Sequence, residues 1–465
     1  MGEARLSSGP GLRIGIVGGL ALGLGSIPGF LFGLLTPVLT AGEGIGRTAI
    51  GVLVGLFFGA TGLGSVAAGR LTERIGARAA VVADLLVLAC CLLVAAVVGT
   101  YAVLVVVAVV AGAGYALTNT GTTLAVATVV RPAERTRVMA VRTAGIPALV
   151  VGASPAAGPL AAAVGWRPVL AGLSVPVLVV AAAVWRVLPD ARPTVAATGP
   201  ARLPAGFGWF PVAAFLLIVG SQPVMVWSVA FLGDGLGVPI APAGLLAAGV
   251  AVVGVAAVLV MAAHSGARPG LVHTGRRAGD GTGAPMGAAV SSARAVSGRR
   301  AAVACGVAGV GSVVLAAAAW TTAGRPGVGG PAVVGLGVAG LGIATVAHLL
   351  AIGLLHALIV ATAPAAAGRA AGVAMTGYFL GALVSGPAFG AVVDGAGWST
   401  AWLLCACLVW LAATCFLRCG RRGAGEAGSR RGEARSGQGR VHHRAAAGER
   451  SWTDSATSTF LRSTP

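Results

Sequence analysis

Twelve apolar runs of about twenty residues or more, separated by short polar joints, dictate how this chain can fold. They lie near 12–36, 47–68, 79–99, 102–127, 138–163, 169–188, 209–231, 242–263, 301–320, 332–360, 370–392 and 399–417. A helix of ~20 apolar residues crosses the hydrocarbon layer of a bilayer, and inside lipid only a helix or a closed barrel satisfies every backbone donor and acceptor. Barrel strands would read as short alternating segments, whereas these runs are continuous. The expected fold is an all-α polytopic membrane protein. Only 10% of the residues are charged and 57% are hydrophobic, too little polar surface to cover a soluble domain.

A net charge of +19 would suggest nucleic acid as the partner of a soluble protein, so the position of each charge matters. All 32 basic residues are Arg. With the N-terminus cytoplasmic, only Arg47, Arg167 and Arg325 fall on the outer side. Long segments do not set topology; without 264–300 and the tail from 418, thirteen Arg residues still lie inside. The charge is a positive-inside signature, so both termini are expected in the cytoplasm, the protein in the cell membrane, and no nucleic acid is expected as a partner.

The chain also repeats itself. At a constant offset of 232, "RPAERTRVMAVRTAGIPALVVGASPAAGPLAAAVGW" from 131 aligns without a gap on "APAAAGRAAGVAMTGYFLGALVSGPAFGAVVDGAGW" from 363. Pro132 meets Pro364, Arg137 meets Arg369, Gly145 meets Gly377, Pro155 meets Pro387, Gly158 meets Gly390, and Gly165-Trp166 meets Gly397-Trp398. A second echo, "GARAAV" from 76 and "GRRAAV" from 298, pairs the third span with the ninth. Six spans separate each pair, so the copies share one orientation. Two pseudo-symmetric six-helix bundles follow, over 1–190 and 209–417, with 191–208 as a cytoplasmic linker and a solute site between the halves. The stretch 264–300 and the basic tail 418–465 lack apolar periodicity and are expected not to fold. Membrane lipid is one expected partner, and the tail is read as solvated or lying on anionic headgroups.

Four charges crowd "GRLTERIGARAA" at 69–80, between the second and third spans. The stretch resembles the signature of the major facilitator superfamily (MFS), G-x-L-a-D-r-x-G-r-k. Gly69, Leu71, Arg74, Gly76 and Arg78 match, and Glu73 stands where the pattern has Asp. "GASPAAGPLAAAVGWR" from 152 resembles the fifth-helix motif of exporters in that superfamily, through Gly152, Pro155, Gly158 and Pro159, with Pro387 and Gly390 as counterparts in the eleventh span. "MAVRTAGIP" from 139 is similar to a fifth-helix stretch of the cyanate and small organic anion branch. The resemblance implies a secondary transporter, working by alternating access, without cofactor or catalysis. The expected partner is a small organic solute, with protons as a candidate coupling ion, and the chain is expected to act as a monomer. Export and anion uptake both remain open, as does a transport-inactive scaffold.

The same resemblance implies that Glu73, paired with Arg74 or Arg78, faces the start of the eleventh helix near Arg369, with Gly69 and Gly76 allowing close approach. Such contacts exist in one access state only, which makes the cluster a latch; fixing topology is the plainer alternative. It further implies that the first, fourth, seventh and tenth helices line the cavity. Tyr115, Asn119 and Thr122 fall on one stripe of the fourth helix, available to a solute or to neighbouring helices. Gln222 in the seventh and His348 in the tenth are the other candidates. Arg142 in the fifth faces either the cavity, where its fork of donors suits an anion, or the loop charges. Asp84 is expected to snorkel to the cytoplasmic edge, and Trp227 to sit at the outer interface. The Gly-rich "GLGSIPG" is read as helix packing, and no metal-site spacing is present.

Overall fold

A computed structural model describes residues 10–131, 134–192, 203, 207–266, 286–322, 330–362 and 367–459. Helix accounts for all the regular structure among them. The N-terminal half comprises α1 (Pro10–Gly25), α2 (Ile27–Leu34), α3 (Thr36–Glu43), α4 (Arg47–Ile75), α5 (Ala77–Val98), α6 (Tyr101–Val129), α7 (Arg135–Thr143), α8 (Gly145–Val164) and α9 (Trp166–Val187). The C-terminal half comprises α10 (Trp209–Ser221), α11 (Pro223–Val226), α12 (Ser228–Ala230), a π-helical turn (Phe231–Gly235), α13 (Ile240–Gly266), α14 (Met286–Thr322), α15 (Pro331–Thr362) and α16 (Ala367–Thr459).

Ten of these helices, or eleven with the bent pair α1–α2, are long and apolar enough to cross a membrane. The last candidate, Gly372–Cys419, is 48 residues long and holds two crossings. Phe389 and Trp402 prove the reversal. On a straight helix they would stand ~20 Å apart at 1.5 Å per residue, yet their ring centroids are 4.8 Å apart. The corner is Gly397, at φ 82°, ψ 171°. Its repeat partner Gly165 takes nearly the same conformation between α8 and α9, at φ 89°, ψ 155°. This positive-φ region is closed to most side chains, so the two Gly-Trp corners of the sequence repeat are one backbone device used twice.

The repeat also fixes packing. A Cβ at Gly145 would collide with the Gly19 carbonyl, where the fifth span crosses the first. A Cβ at the matching Gly377 would collide with the Pro211 carbonyl, where the eleventh crosses the seventh. In lipid no hydrophobic force drives helices together, so such backbone-to-backbone approaches supply the dispersion contact that holds a bundle.

Two stretches differ from the sequence expectation. Met286 to Arg300, part of the segment read as unfolded, is helical and runs straight into the ninth span, and α16 continues past Cys419 to Thr459. Both are Arg- and Ala-rich extensions of an existing helix, which needs no new nucleus. Pro132, Pro364, Arg325, most of the linker (193–202 and 204–206) and 267–285 lie outside the described residues.

Candidate functional site

The first and seventh spans, opening elements of the two halves, are both discontinuous. Between α1 and α2 the axis bends by 52° at Ser26. The seventh span breaks at Gln222 and again at Trp227 before the π-helical turn. Each break carries the same four-residue pattern, Gly25-Ser26-Ile27-Pro28 and Gly220-Ser221-Gln222-Pro223. Proline removes a backbone donor and clashes with the preceding turn, which accounts for the breaks. The serine hydroxyls then fold back on carbonyls, Ser26 Oγ to Gly23 O at 2.7 Å and Ser221 Oγ to Leu217 O at 2.6 Å. "GLGSIPG" is the packing stretch expected, since a Cβ at Gly23, Gly25 or Gly29 would collide with Gly145, Tyr115 or Phe57, and it is also a hinge-like bend; the G-S-x-P match was the sequence signal that would have found both breaks. The short helices that follow the breaks meet: a Cβ at Gly33 of α2 would collide with the Val226 carbonyl of α11. Matched interruptions in the two halves of a transporter mark its midplane site.

Beside the break in the N-terminal half lies the fourth-span stripe. Tyr115 is buried, its ring 5.6 Å from that of Phe57. Arg142 is only 4% exposed and does not reach for the loops. Its Nε donates to Thr122 Oγ1 at 2.7 Å, and its Nη2 donates to Asn119 O at 2.8 Å and Asn119 Oδ1 at 2.6 Å. Thr122 Oγ1 in turn donates to Thr118 O. Nη1 has no hydrogen-bond partner among the described residues, so one arm of the fork is held rigidly and the other is uncommitted. Gly18 of α1 packs on both Thr122 and Arg142. The structure thus brings Asn119, Thr122 and Arg142 together on the first span.

The C-terminal half has a parallel arrangement. His348 of α15 is buried, with Nδ1 2.7 Å from Ser221 Oγ at the break. The donor of that bond follows the imidazole tautomer: with Nδ1–H donating, the hydroxyl keeps its bond to Leu217 O and Nε2 carries the lone pair. Gln222 is buried with its Oε1 unpartnered. Arg142 and His348 therefore sit in opposite halves, each tied to the broken helix of its own half.

Two expectations are overturned. Asp84 does not snorkel: it is 1% exposed, with both carboxylate oxygens lacking partners. It lies where α5 meets Gly114 of α6 and Gly25 of α1, too deep in the bundle for its short side chain to reach the edge. Trp227 is fully buried against Phe389 at 5.8 Å, because the broken seventh span turns it inward instead of toward an interface.

The cluster at 69–78 keeps to its own bundle. Arg78 Nε donates to Leu188 O at 2.6 Å, Thr72 bonds Thr120 at 2.9 Å, and Ala77 N donates to Ala191 O at 3.0 Å. Gly76 packs against Asp190, while nothing lies within 4 Å of a Cβ at Gly69. Glu73 and Arg74 are exposed and unpaired among the described residues, and α16 begins at Ala367, two residues before Arg369.

Polar ties between the halves are concentrated elsewhere. Arg47 at the start of α4 pairs with Asp234 at 2.6 Å and Asp394 at 3.4 Å. Thr48 donates to Asp394 Oδ2 from Oγ1 at 2.9 Å and from its backbone N at 3.2 Å. Among the described residues these are the only hydrogen bonds and ion pairs that join residues before 190 to residues after 209. They were missed because Arg47 was read for topology alone; the scarce acids Asp234 and Asp394, at the far ends of the seventh and eleventh spans, were the available clue. Below them the seams close on small residues. A Cβ at Gly51 would collide with Gly386 O, and Gly55 packs on Pro387. Gly390 packs on Arg47 O, Gly158 on Ile240, and Gly244 on Ser154 and Pro155. The fifth-span motif is thus part of the interface with the eighth; a Cβ at Gly152 would meet open space, and Pro159 lies within α8.

Comparison with known families agrees with this architecture. The sequence profile of the Major Facilitator Superfamily matches residues 18–352. No curated protein matches the chain. With the match covering well over half of its length, the chain belongs to the Major Facilitator Superfamily, a family of multi-pass membrane transporters of small solutes.

Proposed function

We propose that the chain is a monomeric secondary transporter of the cell membrane that moves a small organic solute bearing an anionic group by alternating access. The observation that carries this reading is Arg142: a buried guanidinium fixed by Asn119 and Thr122 with one arm uncommitted. A fork held in place and shielded from water suits a carboxylate or similar anion, and the contact is stronger there than in water. Across the interface Gln222 Oε1 and His348 Nε2 offer acceptors to the rest of the solute. The ties around Arg47 close one mouth of the site, while Glu73 and Arg74 stand free at the other, an asymmetry expected of one access state of a rocking pair. With the topology read from the Arg distribution, the closed mouth is the outer one.

Export driven by a cation gradient is the direction we favour, on the fifth-span motif. The second reading, uptake or exchange of a small organic anion, is favoured by Arg142 itself. Proteoliposomes tested with a panel of anionic and neutral solutes, with and without ion gradients, separate these readings. Gradient-driven anion movement out of the cytoplasmic side supports export, movement toward it supports uptake, and absence of flux for every solute identifies a scaffold.

A further inference from the structure

Asp84 is the buried charge that the solute site leaves unexplained. Its Oδ1 and Oδ2 are both out of contact with water and without hydrogen bonds. Thr118 of α6, 0% exposed, lies within hydrogen-bonding reach of the carboxylate, and its Oγ1 has no other partner. None of the ion pairs among the described residues includes Asp84. A bare carboxylate at membrane depth is expensive and is retained only where something neutralises it.

The surroundings say what kind of group does so. Asp84 Oδ2 is 3.4 Å from a Cβ placed at Gly25, the last residue of α1 before the bend. Carboxylate and hydroxyl offer oxygen ligands beside the break where α1 ends at Gly25 and α2 begins at Ile27. Interrupted helices of transporters place coupling cations at such breaks. Tyr115 abuts Gly25 on the same side, and Cys91 is the nearest titratable group on α5. Arg142 and Asp84 each act on Tyr115, and neither acts on the other. The charged residues of α4 and α9 (Arg47, Arg70, Glu73, Arg74, Arg167, Arg186) lie near the ends of those helices, and Arg13 is the one charge on α1. Among the described residues no fixed cation is positioned to do the work.

We infer that Asp84, with Thr118 and the broken end of α1, forms the site of the coupling cation, a proton or a sodium ion. This rests on the reading of the chain as a gradient-driven transporter. Because the bend at Ser26 belongs to the span that also packs on Thr122 and Arg142, cation binding at Gly25 and anion binding at Arg142 act on one helix, which couples the two.

The test uses the purified full-length chain in detergent and does not measure flux, so it stands or falls separately from the transporter reading. Thermal unfolding is followed with NaCl against choline chloride, and from mildly acidic to mildly alkaline pH, for wild type and Asp84→Asn. A ligand that binds only the folded state raises the midpoint. Sodium as the ion gives wild type a midpoint higher by a few degrees in NaCl, and a proton gives it the same gain toward acidic pH. In both cases Asp84→Asn loses the dependence, and Thr118→Val weakens the sodium effect. A wild type indifferent to both cations, or a dependence that survives in Asp84→Asn, overturns the site. Should that variant not fold, reaction of Asp84 in wild type with dicyclohexylcarbodiimide, read by peptide mass, decides. Labelling slowed by NaCl or by raised pH supports the inference, and absent or cation-insensitive labelling overturns it.

Discussion

Replacing Arg47 by Gln removes the side chain on which the polar connection between the two halves depends. The guanidinium holds Asp234 and Asp394 simultaneously, with side-chain exposures of 25%, 24% and 35% for the three residues. Partly exposed pairs of this kind contribute ~0.2–1 kcal/mol each, so two together contribute about 1 kcal/mol, roughly a five-fold change in the equilibrium between closed and open mouths. The variant also leaves two carboxylates facing each other without their cation, while Thr48 continues to hold Asp394. Amide hydrogen exchange read by mass spectrometry tests this without engineered labels: peptides spanning Glu43 to Ile50 and Asp234 to Ile240 should exchange several-fold faster in Arg47→Gln. In wild type about 1 M salt should move the same peptides in the same direction, since the screening length falls to ~3 Å. Unchanged exchange in both segments, in protein that remains folded, would refute the assignment of these pairs as the closure.

Arg142→Gln should reduce transport of anionic solutes far more than neutral ones, and an unchanged ratio of the two in membrane-inserted protein removes Arg142 from the site. Glu73→Gln should lower turnover while leaving the unfolding midpoint nearly unmoved, because Glu73 has no partner among the described residues in this state and the latch reading gives it one in the other; transport at the wild-type rate would reduce the 69–78 cluster to a topology signal. Gly145→Val and Gly377→Val should each destabilise the folded chain by about 1–3 kcal/mol through overpacking at a backbone crossing, seen as lower midpoints in detergent. A loss in one but not the other would break the equivalence of the two halves.

Composition and periodicity settled by themselves that the chain crosses a membrane as helices, because in lipid the backbone has no alternative, and the 232-residue offset marked a repeat whose corners at Gly165 and Gly397 take nearly the same conformation. The polar stripe of the fourth span was also legible, since residues four and seven apart on a helix share a face whatever packs against it. Side-chain direction at a helix end was not: Arg142 and Asp84 lie at similar depth in the sequence pattern, and only the neighbours supplied by α1 and α6 turn both of them inward. The breaks at Ser26 and Gln222 had a local signal in G-S-x-P, but a proline bends a membrane helix only as far as its surroundings allow, so the bend and the contact of α2 with α11 are tertiary facts. The ties of Arg47 to Asp234 and Asp394 join residues separated by most of the chain and belong to one arrangement of the two halves. Which arrangement is populated depends on small differences between competing interfaces, and no local pattern of residues encodes such a balance.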